Sequence, residues 1–233
     1  MHLLAILLLF LAGCSRDLSE GELPYPNGEV AETEDFPGVV TVRGLHFCTG
    51  SAIGEKTVLT AAHCLEDADS VTVDTSSGSI ESSSFKIFGT GEEGTQDDLA
   101  LIFFSSAVFS KSEIFPLGNS INIGDTVTLV GYGCKDPEKV SGAGIKRTGT
   151  NVVFRKNELI ELSTPLRKSI VGAANRAGAC LGDSGGPLLK KIDKTYYLVG
   201  ISHSATVPTD FYISRYTDLT TDTNHNFVMG SLR

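Results

Sequence analysis

Three short segments carry the side chains of an acyl-transfer site: Thr60-Ala61-Ala62-His63-Cys64, Asp97-Asp98-Leu99-Ala100-Leu101-Ile102 and Gly182-Asp183-Ser184-Gly185-Gly186-Pro187. Breaking an amide near neutral pH needs a nucleophile, a base to take its proton, an acid to orient that base, and donors for the oxyanion. A serine, a histidine, an aspartate and a glycine-rich turn can supply all four. Each segment alone has a plainer meaning. A histidine before a cysteine can be structural or a metal ligand, an aspartate ahead of an apolar run can be a cap, and the Gly182–Gly186 run can be a turn. No second His or Cys stands at a metal-ligand spacing from His63, which argues against zinc. The weight lies in finding all three segments in one chain.

Such residues need a rigid frame. The chain has 233 residues, enough for one large all-β domain or two small halves, and its 41% hydrophobic and 20% charged content suits a folded body. Short β-branched or aromatic runs recur at Val39–Val42, Val58–Thr60, Val71–Val73, Phe85–Phe88, Leu99–Phe104 and Thr126–Val130. They continue at Asn151–Phe154, Leu159–Leu162, Pro187–Leu189, Tyr196–Ile201 and Phe211–Ile213. Turn chemistry separates them, a pattern of barrels or sandwiches. Beyond residue 13 no helical period is visible. The polar stretch Ser76–Ser84 reads as a hairpin, and Gly118–Gly124 as a seam between two halves. A net charge of −9 without clustered Lys or Arg excludes a nucleic-acid partner.

The N-terminus lies outside that frame. Leu3 to Leu11 is apolar but too short to span a bilayer. It ends in Leu11-Ala12-Gly13-Cys14, which resembles the lipobox of bacterial lipoprotein signal peptides and implies lipidation at Cys14. The alternative is a plain secretory signal with Cys14 incidental; either way the body is exported. Residues 1–13 are then signal, 14–35 a polar tether with Pro24, Pro26 and Gly28, and 36–233 the folded domain. Five cysteines are an odd count for an exported protein. Assigning Cys14 to lipid leaves Cys48, Cys64, Cys134 and Cys180, for which three pairings exist. The expected location is a membrane-anchored lipoprotein of the outer membrane or cell surface, otherwise periplasmic or extracellular.

The three segments, in their His, Asp, Ser order, resemble the motifs of trypsin/chymotrypsin-like serine endopeptidases. Leu45-His46-Phe47-Cys48, Gly131-Tyr132-Gly133 and Leu198-Val199-Gly200-Ile201 match further pieces, so the likeness covers roughly residues 27–215. It implies two packed six-stranded antiparallel β-barrels, at about 36–115 and 116–233, with the active site in the crevice between them. It implies Ser184 as nucleophile, His63 as base and then acid, Asp98 rather than Asp97 as orienting acid, and the N–H groups of Gly182 and Ser184 as oxyanion hole. It also implies disulfides Cys48–Cys64 and Cys134–Cys180, no cofactor or metal, a protein or peptide substrate, and a monomer tied to membrane only through Cys14. A non-catalytic or zymogen-locked surface lipoprotein that acts by binding is the alternative.

Departures from the family pattern bear on specificity and activation. The pocket-floor position that holds Asp in trypsins is Gly178 here, while Asp210 falls on the back wall where the family usually has Gly. That leaves a choice between cleavage after basic residues and an apolar or small-residue preference. On the strand facing the substrate, Ser202, His203 and Ser204 all compete for one family position. Activation in this family frees an Ile or Val amine that pairs with the Asp preceding the nucleophile, here Asp183. Tyr25-Pro26 stands where that amine would arise, so the chain matures by another cut, is active without one, or stays zymogen-like, the resemblance implying a His46–Asp183 pair for the resting state. With Asp210 in the pocket, Asp210→Ala lowers kcat/KM for Arg and Lys substrates by at least about tenfold. A peptide-library profile of both forms measures it, and matching profiles would remove Asp210 from the pocket.

Overall fold

The short β-branched runs pair into two antiparallel sheets in the computed structural model, which describes residues 29–30, 35–90, 95–135, 141–165, 176–206 and 211–232. The first sheet uses β2 (Val39–Arg43), β3 (Phe47–Gly54), β4 (Thr57–Thr60), β5 (Val71–Thr75), β6 (Gly78–Ser82), β7 (Phe85–Phe88) and β8 (Leu99–Phe103). The second uses β1 (Glu29–Val30), β9 (Thr126–Gly131), β10 (Arg147–Lys156), β11 (Leu159–Pro165), β12 (Pro187–Ile192), β13 (Thr195–Thr206) and β14 (Phe211–Asp218).

The two sheets differ in closure. In the second, β9 pairs with both β12 and β10, so six strands close into a barrel and β1 adds to β10 outside it. The first runs β6-β5-β2-β3-β4-β8-β7 and stays open, a half-barrel of seven strands rather than the expected closed six. The reason sits at a serine corner. Ser82 Oγ donates to Phe103 O and accepts from Ser84 N–H, while Ser84 O accepts from Phe103 N–H. The chain therefore bends from β6 into β7 there, and no ladder forms between the two.

Apolar packing joins the halves. Val130, Leu189 and Leu198 of the barrel share one buried cluster with Val40, Leu59 and Leu101 of the open sheet. A smaller cluster around Ile160, Leu188, Val199 and Tyr216 fills the barrel itself. Each fully buried Leu or Val contributes about 1.5–3 kcal/mol. Two elements escape a reading by apolar pattern. Strand β3 is rich in Gly, Ser, Thr and Ala because it is buried between neighbours; a Cβ on Gly50 would meet Val58 and Val42.

The other is a helix, α1 (Asp222–Ser231), where no helical period is visible in the sequence. Thr221 caps it by accepting from Asn224 N–H, and Asp222 in the first turn suits the helix dipole. Its buried face is small, with Val228 and Asn224 inside and Phe227 stacked on Phe88. Asn224 Nδ2 donates to Asp218 O and to Gln96 O, at 2.9 and 2.8 Å, tying the helix to the loop that carries Asp98. Asn224→Ala strands both carbonyls and is expected to lower unfolding stability by about 1–3 kcal/mol. A urea titration at pH 7 tests this; an unchanged midpoint would mean that the helix does not brace the loop.

Candidate active site

Strand pairing brings His63 and Asp98 together. Thr60 of β4 lies opposite Ala100 of β8, so the residues just past one strand meet those just before the other. A single 3-10 turn, Ala62–Cys64, follows β4, and Cys64 is bonded to Cys48 on β3, which pins the turn. His63 N–H donates to Asp98 Oδ1 at 3.0 Å, and His63 Nδ1 lies 2.7 Å from Asp98 Oδ2. Asp98 has 0% exposure, whereas the His63 side chain is 25% exposed. With an ionised carboxylate on Nδ1, that nitrogen carries the ring proton and Nε2 is left as a base. Burial pushes the Asp98 carboxyl up, but the ring bond, charge and backbone N–H of His63, backed by His203, outweigh it and hold the value low.

His203 is the strand residue that faces this pair. A bulge in β13 between Ser202 and Ser204 brings the buried His203 Nε2 to 3.9 Å from Asp98 Oδ2, with its ring 6.3 Å from that of His63. Ser202 lies inside the barrel, hydrogen-bonded to Tyr216. Two imidazoles thus share one carboxylate.

Ser184 arrives from the other half on a turn clamped at both ends. Asp183 N–H donates to Cys180 O and Gly186 N–H to Asp183 O, while Gly182 and Gly185 sit at φ +99° and +78°. A Cβ on Gly185 would run into Thr60 and Ala61, so glycine is what lets the turn press against the His63 segment. Thr49 stitches the seam: its N–H donates to Ser184 O and its hydroxyl to Gly182 O, both at 2.8 Å. Among the described residues the N–H groups of Gly182 and Ser184 have no acceptor, which leaves two donors on one turn. Nor does a hydrogen bond join Ser184 Oγ to His63; the imidazole holds its carboxylate but not the hydroxyl.

The remaining expected site residues are scattered. Cys134 is bonded to Cys180, which anchors the Ser184 turn from behind. His46 lines an open groove of about 460 Å³ with His63, Glu66, His203 and Ser204. It does not pair with Asp183, whose Oδ1 and Oδ2 accept instead from Gly133 N–H and Cys180 N–H, at 2.7 and 2.8 Å. That corrects the expected resting pair: the Asp183 side chain turns toward Gly131 and Gly133, where a Cβ would overlap its carboxylate, and away from the groove. Gly178 lies on a small internal cavity of about 40 Å³, with Tyr212, Ser214 and Thr164 close about it. Asp210 and Cys14 lie outside the described residues. The ligating atoms of Cys48, His63 and Cys64 fall within 4.8 Å of one another, but both sulfurs are spent on a disulfide and cannot act as thiolates.

Known proteins resemble this chain over most of its length. The family model described as Trypsin matches residues 25–221. Trypsin delta and trypsin gamma of Drosophila erecta are each 26% identical over 219 residues, covering 79% of this chain and 83% of theirs. A solved structure of human heparin binding protein superposes with a TM-score of 0.69 at 19% identity, covering 88% of this chain and 95% of that one. It shares the chymotrypsin-like fold. A hydrogen-bonded histidine and aspartate, a glycine-built serine turn and a match over most of the length have one common explanation: the chain belongs to the trypsin family.

Proposed function

We propose that this protein is a serine endopeptidase acting on exported or extracellular proteins through an acyl-enzyme on Ser184. The observation that carries the reading is the doubly hydrogen-bonded His63–Asp98 pair, with the Ser184 turn stitched across the seam by Thr49. Ser184 Oγ attacks the scissile carbonyl as His63 Nε2 takes its proton. The N–H groups of Gly182 and Ser184 receive the oxyanion, and His63 returns the proton to the leaving amine. Water then repeats the sequence to free the acid. Asp98, ionised and dry, holds the tautomer and stabilises the imidazolium. Beyond Ser202, whose backbone is bonded to Gly185 and Gly186, β13 pairs only with β14 among the described residues, so His203–Thr206 offers an open edge to an extended substrate.

Two disulfides suit an oxidising compartment. In this reading the chain is exported, Cys14 carries the lipid anchor, and Asp210 favours cleavage after Lys or Arg. The missing Ser184–His63 hydrogen bond favours a second reading, a protease-like protein that acts by binding. Such bonds are often long in enzymes without substrate and tighten only on binding.

A fluorophosphonate probe separates the two. The wild type is expected to label at Ser184 and Ser184→Ala not at all; Asp98→Asn slows labelling by about 10⁴-fold while the fold survives. An unlabelled wild type, in full-length and shortened forms alike, would leave binding as the function. The lowered Asp98 value also has a pH signature. Its contribution to stability is full above the ordinary aspartate value of 3.8 and is lost as the pH falls through the lower folded value. Urea midpoints taken from pH 7 to pH 2 should drop more steeply in acid for the wild type than for Asp98→Asn; parallel curves would contradict the shift.

A further inference from the structure

The residue before the nucleophile poses an electrostatic problem. Burial raises the Asp183 carboxyl to about 6, against its hydrogen bonds from Cys180 and Gly133 and the charge of Arg147, so at neutral pH it is an anion in a half-buried setting. Backbone N–H groups alone leave such a charge without a counter-ion. Arg147 is set to supply one from the same small cavity, although no ion pair joins the two side chains directly. It opens β10 directly opposite Gly131 in the β9 ladder, and Gly131 and Gly133 are the residues against which the Asp183 side chain rests. Arg147 Nη1 donates to Gly133 O, Gly142 O and Ile145 O at 3.1, 2.7 and 3.2 Å. The Gly133 residue is therefore held from two sides, its N–H by Asp183 and its carbonyl by Arg147. Both side chains line the 40 Å³ cavity behind the Ser184 turn.

We propose that Arg147 is the built-in counter-cation of Asp183, holding the Gly182–Ser184 turn in its working arrangement without a newly cut amino terminus. The proposal rests on the hydrolase reading of Ser184 and assigns how that site is kept competent. Three carbonyls surround Arg147 Nη1, and the Cys134–Cys180 bond ties the loop that follows Gly133 to the Ser184 turn. Among the described residues, the other titratable group facing Asp183 is Tyr216 of β14, kept neutral because burial and the Asp183 charge raise its hydroxyl well above 10. Strand β1 adds to β10 beside Arg147, with Val30 opposite it. Arg147 acts through Asp183 and is a positioning residue.

The pH profile distinguishes a guanidinium from an amine. An α-amine loses its proton near about 7.7–8.0 and a lysine near about 10.4, whereas arginine stays charged throughout. The full-length chain, its N-terminus mapped by mass spectrometry, is labelled with a fluorophosphonate from pH 6 to 11, and the Asp183 carboxyl is titrated by ¹³C NMR. The uncut wild type is expected to label at pH 10 within about twofold of its rate at pH 8. Arg147→Lys should keep labelling at pH 8 and gain an alkaline fall near the lysine value. Arg147→Gln should lose about 100-fold or more in rate and push the Asp183 midpoint higher. Labelling only after a cut within residues 15–36, with an alkaline fall near pH 8, overturns the inference and leaves the hydrolase intact. So does an Arg147→Gln form that labels like the wild type. If no form labels, the hydrolase reading fails on its own. The carboxyl titration then decides the pairing: a higher midpoint in Arg147→Gln supports it, and an unmoved one overturns it.

Discussion

A carboxylate taken out of water must be met by donors or positive charge, and Asp98 is wholly buried. Its two oxygens are met by one residue, His63, through ring and backbone together. That arrangement settles the imidazole's tautomer, its tilt and the direction of its free nitrogen. It exists because β4 and β8 pair in a register that brings the ends of two separate sequence segments side by side. Shift that register by one residue and Asp98 would face the other side of the sheet. The chemistry of the site is thus a consequence of strand pairing before it is a property of any one side chain.

The second requirement is that the two halves meet in a fixed alignment. Apolar packing brings them together, since Leu189 and Leu198 join the cluster of Leu59 and Leu101. Packing is not directional, however, and the alignment comes from polar contacts at the seam. Thr49 gives its N–H and its hydroxyl to the Ser184 turn, and takes a hydrogen bond from Tyr132 N–H on the loop that follows β9. Gly185 removes the one Cβ that would hold the turn away from Ala61. A threonine of no evident chemistry therefore governs where the serine lies relative to the histidine.

The two carboxylates, Asp98 and Asp183, are answered differently. Asp98 is met by an imidazole, a partner whose charge can change. Asp183 is met by the N–H groups of Gly133 and Cys180, to which our proposal adds a guanidinium whose charge does not change. Placing His203 beside Asp98 adds a second imidazole to the same anion at 3.9 Å, so the dry floor of the groove holds more ionisable chemistry than three residues alone would give.

Much of this was legible in the amino-acid order. The runs from Val39–Val42 to Phe211–Ile213 are strands, because short β-branched and aromatic runs bounded by turn residues leave a local signature. The segments around His63, Asp98 and Ser184 stand out because glycine and small residues are required wherever backbones approach closely. Helix α1 was not legible, since a helix resting on little more than Val228, Asn224 and Phe227 shows almost no stripe. The open first sheet was hidden too, because a serine corner and a serine hairpin look alike until their hydrogen bonds are traced to Phe103. Which residue faces Asp98 depended on a single bulge in β13, which moves His203 inward where Ser202 and Ser204 were equal candidates. Likewise His46 does not pair with Asp183, while Arg147, 36 positions before Asp183, comes to line the same small cavity through a barrel ladder. Local chemistry is written in neighbouring residues; which charges meet across the fold is decided only when the sheets close and water is expelled between them.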